Sequence, residues 1–183
     1  MKYLPAEKIE TNALELLKSC DVMDVPVPLD IVAHRLELNV EYASLGDDVS
    51  GLLVLDNSNA TIGVNKNHPN ARQRFTIAHE IGHYVLHRNA SELFIDTKYS
   101  AVFRDSKSSS GEDRMEIQAN MFAAALLMPR TLLEEMIQSE EIDLGDDYAL
   151  ASLAEKFGVS LQALAYRLSS LEFFDRRQIS SAK

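Results

Sequence analysis

Arg72-Gln73-Arg74-Phe75-Thr76-Ile77-Ala78-His79-Glu80-Ile81-Gly82-His83-Tyr84-Val85-Leu86-His87 is the stretch whose reading decides the fold. Its residues suit a helix opened by Pro69 and Asn70, and it contains His-Glu-x-x-His. Positions four apart on a helix lie about 40° apart around the axis and one turn apart along it. His79 and His83 therefore point the same way and can share one metal ion. Glu80, about 100° round from His79, can reach a water on that ion without being a ligand. Neutral imidazoles suit zinc, and an open coordination position leaves room for that water.

A bare His-Glu-x-x-His also arises by chance, so the flanks matter. On a helical wheel Phe75, Ile77, Ala78, Ile81 and Val85 cover most of the circumference, and only the sector with Thr76, His79, Glu80, His83 and His87 is polar. A helix buried nearly all round does not carry two histidines and a glutamate without a partner, because unpaired buried polar groups are costly. A metal is the simplest partner for all three.

A catalytic zinc wants a third protein ligand. His87 lies eight residues beyond His79, roughly 12 Å along a straight helix, too far to close on the same ion. The extended pattern with a turning glycine and a third histidine fails, since those positions hold Leu86 and Asn89. The better source is the strong helix expected over 112–127. There Glu112, Glu116 and Asn120 form one stripe, flanked by the small residues Ala119 and Ala123. Gly82 on the first helix is small too, so the two helices can approach closely. Glu112 and Asp113 sit in the first turn, where acidic residues are usual on dipole grounds alone. Glu116, mid-helix, is the preferred ligand. Asn120, one turn on, can hydrogen-bond a ligand imidazole and fix its tautomer, or simply fill the seam between helices.

Around this pair of helices the chain reads as α+β. Residues 6–20 form an amphipathic helix and 30–38 a shorter one, with His34 at the surface. Val40 to Ala43 reads as a strand, and 51–55 and 60–64 as a hairpin turning at 56–59. A strand beside such a helix can take an extended peptide as another strand, or simply cover the core. After His87 the sequence is less regular: Leu93 to Ile95 is apolar, Tyr99 to Phe103 suits a short strand, and 106–111 is a polar loop. Helices follow over 131–138, 149–157 and 160–171.

The net charge of −10 argues against broad binding to phosphate backbones. One cysteine, Cys20, excludes an internal disulfide and fits a reducing compartment. The longest apolar run, 121–129, is too short to span a bilayer. The N-terminus leads straight into charged helical sequence rather than a signal peptide. The expectation is a soluble, cytoplasmic protein with no membrane partner.

Two segments together carry a resemblance. Arg74-Phe75-Thr76-Ile77-Ala78-His79-Glu80-Ile81-Gly82-His83 is followed by Glu116-Ile117-Gln118-Ala119-Asn120-Met121-Phe122-Ala123-Ala124-Ala125-Leu126-Leu127-Met128-Pro129. In that order and spacing they resemble the ImmA/IrrE family of metallo-endopeptidase-like proteins, with weaker similarity from about Val25 to Leu171. The resemblance implies a gluzincin-like zinc site, with His79, His83 and Glu116 as ligands and Glu80 as general base. It also implies a bacterial or phage protein. Some members of the family cleave a helix-turn-helix repressor and so induce a mobile element or a stress response.

The C-terminal pair of helices, over Leu153 to Leu164, resembles a helix-turn-helix: Gly158 turns the chain and Ser160 can cap the second helix. A DNA reader needs polar side chains on the exposed face of that helix. Leu161, Ala165 and Tyr166 dominate it, with Gln162 and Arg167 as polar exceptions, so protein contact is expected before DNA binding. The expected architecture is a zinc-peptidase-like domain over 1–145 with a helix-turn-helix-like appendage over 146–183 packed on it. The expected function is zinc-dependent cleavage of one protein, a repressor. The alternatives are a non-proteolytic antirepressor, or a DNA-binding regulator with a structural metal.

Overall fold

The computed structural model describes residues 4–56, 59–97 and 111–173. Helix α1 (Ala6–Ser19) buries Ile9, Ala13, Leu16 and Leu17 along one stripe. Helix α2 (Leu29–Arg35) starts after Pro28, whose fixed φ suits a helix entry. It stops short of the 30–38 span expected from sequence, because Glu37 takes a positive φ of 58° that turns the chain into a strand. That strand, β1 (Leu38–Ala43), is followed by β2 (Val49–Asp56) and β3 (Asn59–Asn65). The buried Asn65 side chain ties down the loop before β2, donating to the carbonyls of Gly46 at 2.7 Å and Val49 at 2.8 Å.

The expected hairpin is present, with β2 antiparallel to β3 and Asp56 opposite Asn59. The sheet has the order β1-β3-β2-β4, with β1 parallel to β3. Its fourth strand, β4 (Leu93–Thr97), extends the short apolar run seen in the sequence and pairs antiparallel with β2. The strand expected at Tyr99 to Phe103 and the loop after it lie outside the described residues.

Helix α3 (Asn70–His87) lies between this sheet and helix α4 (Gly111–Leu127). Gly82 is what lets the helices close: a β-carbon there would sit 3.1 Å from both the Cα and the carbonyl oxygen of Ala119. Helix α5 (Arg130–Ser139) follows Pro129. Helix α6 (Asp147–Phe157) is capped by Asp146 and ends at Gly158, whose φ of 65° is left-handed. Helix α7 (Leu161–Ser170) starts at Ser160, whose hydroxyl accepts from the Ala163 amide.

One expectation for α7 is corrected. Arg167 does not lie on the exposed face; it is 4% exposed. Its Nε donates to the Met128 carbonyl at 3.0 Å, and its other nitrogens form an ion pair with Glu10 of α1. A guanidinium offers five donors in a planar fork, so it can link three helices at once. Leu161 and Tyr166 do stay exposed, and His34 is at the surface as expected.

Candidate metal centre

The rise of α3 puts His79 and His83 one turn apart, both buried, with their Nε2 atoms 3.0 Å apart. From α4, Glu116 reaches both: Oε2 lies 3.2 Å from the Nε2 of His79, and Oε1 lies 3.1 Å from that of His83. Three ligand atoms thus converge from two helices. Tetrahedral zinc with bonds of about 2.0–2.1 Å holds its ligand atoms roughly 3.3 Å apart, so these residues fit such an ion with little movement. The ring of His79 is fixed from behind, where its Nδ1 lies 2.9 Å from the Oδ1 of Asn120. His83 is stacked on Phe94 of β4, with centroids 4.6 Å apart.

The electrostatics also suit a cation. Burial opposes a charge on His79, but the hydrogen bond to Glu116 and the nearby carboxyls of Glu80 and Asp96 outweigh it and raise its pKa to about 9. Burial would raise Glu116, yet hydrogen bonds from the two imidazoles bring it down to about 2. Burial lowers His83 despite its own bond to Glu116. A proton on His79 balances the partly buried Glu116 carboxylate, and a divalent ion can take its place. Burial raises Glu80 to about 8, with Asp96 and Glu116 adding to the shift and His79 opposing it. Both oxygens of Glu80 lack a hydrogen-bond partner among the described residues, which fits a group whose partner is a water or a substrate.

Residues 33–169 match the family described as the IrrE N-terminal-like domain. This chain belongs to the ImmA/IrrE metallopeptidase family. It is 27% identical to the metallopeptidase ImmA of Bacillus subtilis over 128 residues, 70% of this chain and 68% of ImmA. It is 36% identical over 99 residues to the radiation response metalloprotease IrrE of Deinococcus radiodurans, 54% of this chain and 27% of IrrE. In fold it is similar to a solved Mycobacterium tuberculosis transcriptional regulator, with a TM-score of 0.61 at 20% identity, over 89% of this chain and 46% of that one. The match thus covers about a quarter of the length of IrrE and just under half that of the mycobacterial protein.

Within this member of the family, His79, Glu80, His83, Glu116 and Asn120 all come together. His87, set aside above as a ligand on distance, and Tyr84 do not join them. His87 is buried a turn beyond His83, its ring 5.8 Å from that of His83, and burial together with His83 lowers its pKa to about 4. It is neutral at physiological pH and outside the cluster. Tyr84 is covered by Arg88, whose guanidinium carbon lies 5.2 Å from the ring centre. Tyr99 lies outside the described residues, as do the side chains of Glu112 and Asp113. Sequence reasoning missed Phe94 and Asp96 of β4, both buried beside the site, and Gly51 of β2. Phe94 and Asp96 share the buried face of β4 while Leu93 and Ile95 are exposed, and no apolar–polar alternation in the sequence marks that face. No helix among the described residues is long and apolar enough to cross a membrane.

Proposed function

We propose that this chain is a zinc-dependent endopeptidase of gluzincin type, acting in the cytoplasm on a helix-turn-helix repressor and so inducing a mobile element, prophage or stress response. The observation that carries the reading is the convergence of His79, His83 and Glu116 beside the buried carboxyl of Glu80, which has no hydrogen-bond partner among the described residues. In this reading the first three hold the metal, Glu80 is the general base, and Asn120 fixes the tautomer of His79. A zinc ion held there supplies Lewis acidity toward the scissile carbonyl and a lowered pKa for the attacking water. Glu80 takes that water's proton on a carboxylate oxygen and returns it to the leaving amine.

The sheet supplies a place for the substrate. Among the described residues strand β4 is at the sheet edge, and its Phe94 touches a ligand histidine. A peptide added to that edge passes the three ligands with its carbonyls held by backbone hydrogen bonds. Glu116, a quarter exposed, marks the open side. The division into a peptidase-like 1–145 and a helix-turn-helix-like 146–183 belongs to the same proposal. Exposed Leu161 and Tyr166, with Ala165 between their turns, offer the repressor a docking face. Burial of Arg167 weighs against the DNA-binding alternative, since it leaves Gln162 as the remaining polar candidate of the two on α7.

Elemental analysis of purified variants tests the ligand set. His79→Ala, His83→Ala and Glu116→Ala are each expected to lose the metal, because a site of three protein ligands depends on every one. A Glu116→Ala protein with full stoichiometric zinc removes Glu116 from the site.

A further inference from the structure

Strand β2 crosses α3 directly over Thr76 and Glu80, and the residue at the crossing is Gly51. It pairs with Val64 of β3 on one side and Asp96 of β4 on the other, next to a register shift between Val49 and Gly51. A β-carbon at Gly51 would lie 2.2 Å from the Cγ2 of Thr76, 2.9 Å from the carbonyl oxygen of Gly63 and 3.4 Å from the Oε1 of Glu80. Gly51 is not among the residues with positive φ, so space and not backbone conformation demands glycine here. The Glu80 carboxyl has no hydrogen-bond donor among the described residues to aim it. Its direction is set by what it rests against.

We propose that Gly51 is a positioning residue: its missing side chain is the seat that holds the Glu80 carboxyl against β2, beside the His79, His83 and Glu116 cluster. The inference rests on the reading of Glu80 as general base. An added methyl group leaves two ways out. Either β2 lifts off α3, or Thr76 turns and displaces its neighbour one helical turn on, which is Glu80. Both move the carboxyl and neither acts first on the metal ligands, since the three atoms nearest the added carbon belong to Thr76, Gly63 and Glu80. A misplacement of about 1 Å in a catalytic group costs about 100-fold in rate.

The test compares zinc-loaded wild type with Gly51→Ala and with Gly51→Ala/Thr76→Ala, which deletes the side-chain atom in closest conflict. Gly51→Ala is expected to bind zinc within about threefold of wild type, while kcat falls about 100-fold with little change in KM. A crystal structure of it should show the Glu80 carboxyl displaced by about 1 Å with the three ligands in place. The double variant should regain about tenfold in kcat, the Gly63 carbonyl contact withholding the rest. If Gly51→Ala alone does not fold, the double variant decides against wild type, with Glu80 visibly displaced, the three ligands in place and kcat about tenfold below wild type. Wild-type kcat in Gly51→Ala, an unmoved Glu80, loss of zinc in step with activity, or no recovery in the double variant overturns the proposal. Failure of the wild type to cleave any protein instead sinks the peptidase reading, while the crystal structure still decides the seat.

Discussion

Asn120→Ala separates a residue that serves the metal from one that only fills the seam between α3 and α4. In the structure the Nδ1–H of His79 donates to the Asn120 Oδ1 over 2.9 Å, and Asn120 is 9% exposed. That bond keeps the proton on Nδ1 and leaves Nε2 facing Glu116 and His83. Removing it has two consequences of different kinds. A buried N–H left without a partner costs the fold about 1–3 kcal/mol. Freeing the ring to rotate and change tautomer costs metal affinity about 10- to 100-fold, or about 1.4 to 2.7 kcal/mol. Asn120→Asp keeps an acceptor at the same place and adds charge that makes the imidazole a stronger ligand, so its affinity is expected to equal or exceed wild type. The assay is competition for zinc against a chromophoric chelator at neutral pH, run beside a thermal melt of each metal-free protein. A lowered melting temperature with zinc affinity within about twofold of wild type would show that Asn120 is seam filling alone and refute the reasoning.

Four further outcomes follow from the same geometry. Glu80→Gln should keep one metal per chain by elemental analysis and lose about 100- to 10,000-fold in kcat, since in the proposed mechanism it removes the proton carrier and not a ligand. Gly82→Ala should cost about 1–3 kcal/mol in urea denaturation and weaken zinc binding, because the added carbon meets the Ala119 backbone at 3.1 Å and the helix carrying Glu116 must back away. The metal-free protein should lose stability in two pH windows. Glu116, depressed to about 2, contributes above its unfolded value and ceases to as pH falls from about 4.5 toward 2; His79, raised to about 9, contributes below about 6.5 and ceases to as pH rises toward 9. By the same token zinc must displace the His79 proton near neutral pH, and calorimetry in buffers of different ionisation enthalpy should find about one proton or more released per ion.

The helices that carry the site were legible because long runs of helix-favouring residues surround motifs spaced by one turn, and His79, His83 and Glu116 sit mid-helix, where spacing alone fixes direction. The hairpin of β2 and β3 was legible because its two strands are neighbours in sequence. The parallel pairing of β1 with β3 and the placement of β4 beside β2 were not, since both are non-local and leave no mark on either strand alone. Phe94 and Asp96 were therefore missed at the site, and so was Gly51, whose role is visible only once β2 is laid across Thr76 and Glu80. Arg167 was misplaced for a related reason. A guanidinium on an otherwise apolar helix face reads as solvent-exposed until Glu10, 157 residues away, is found beside it.

The most direct test of the central claim is intact-mass spectrometry of a helix-turn-helix repressor encoded beside this gene, incubated with the zinc-loaded protein. The account predicts one cut, giving two fragments whose masses sum to that of the repressor plus one water, blocked by a chelator and by Glu80→Gln, with casein left whole. A repressor that stays intact while binding the wild-type protein stoichiometrically would contradict it and identify an antirepressor that acts by sequestration.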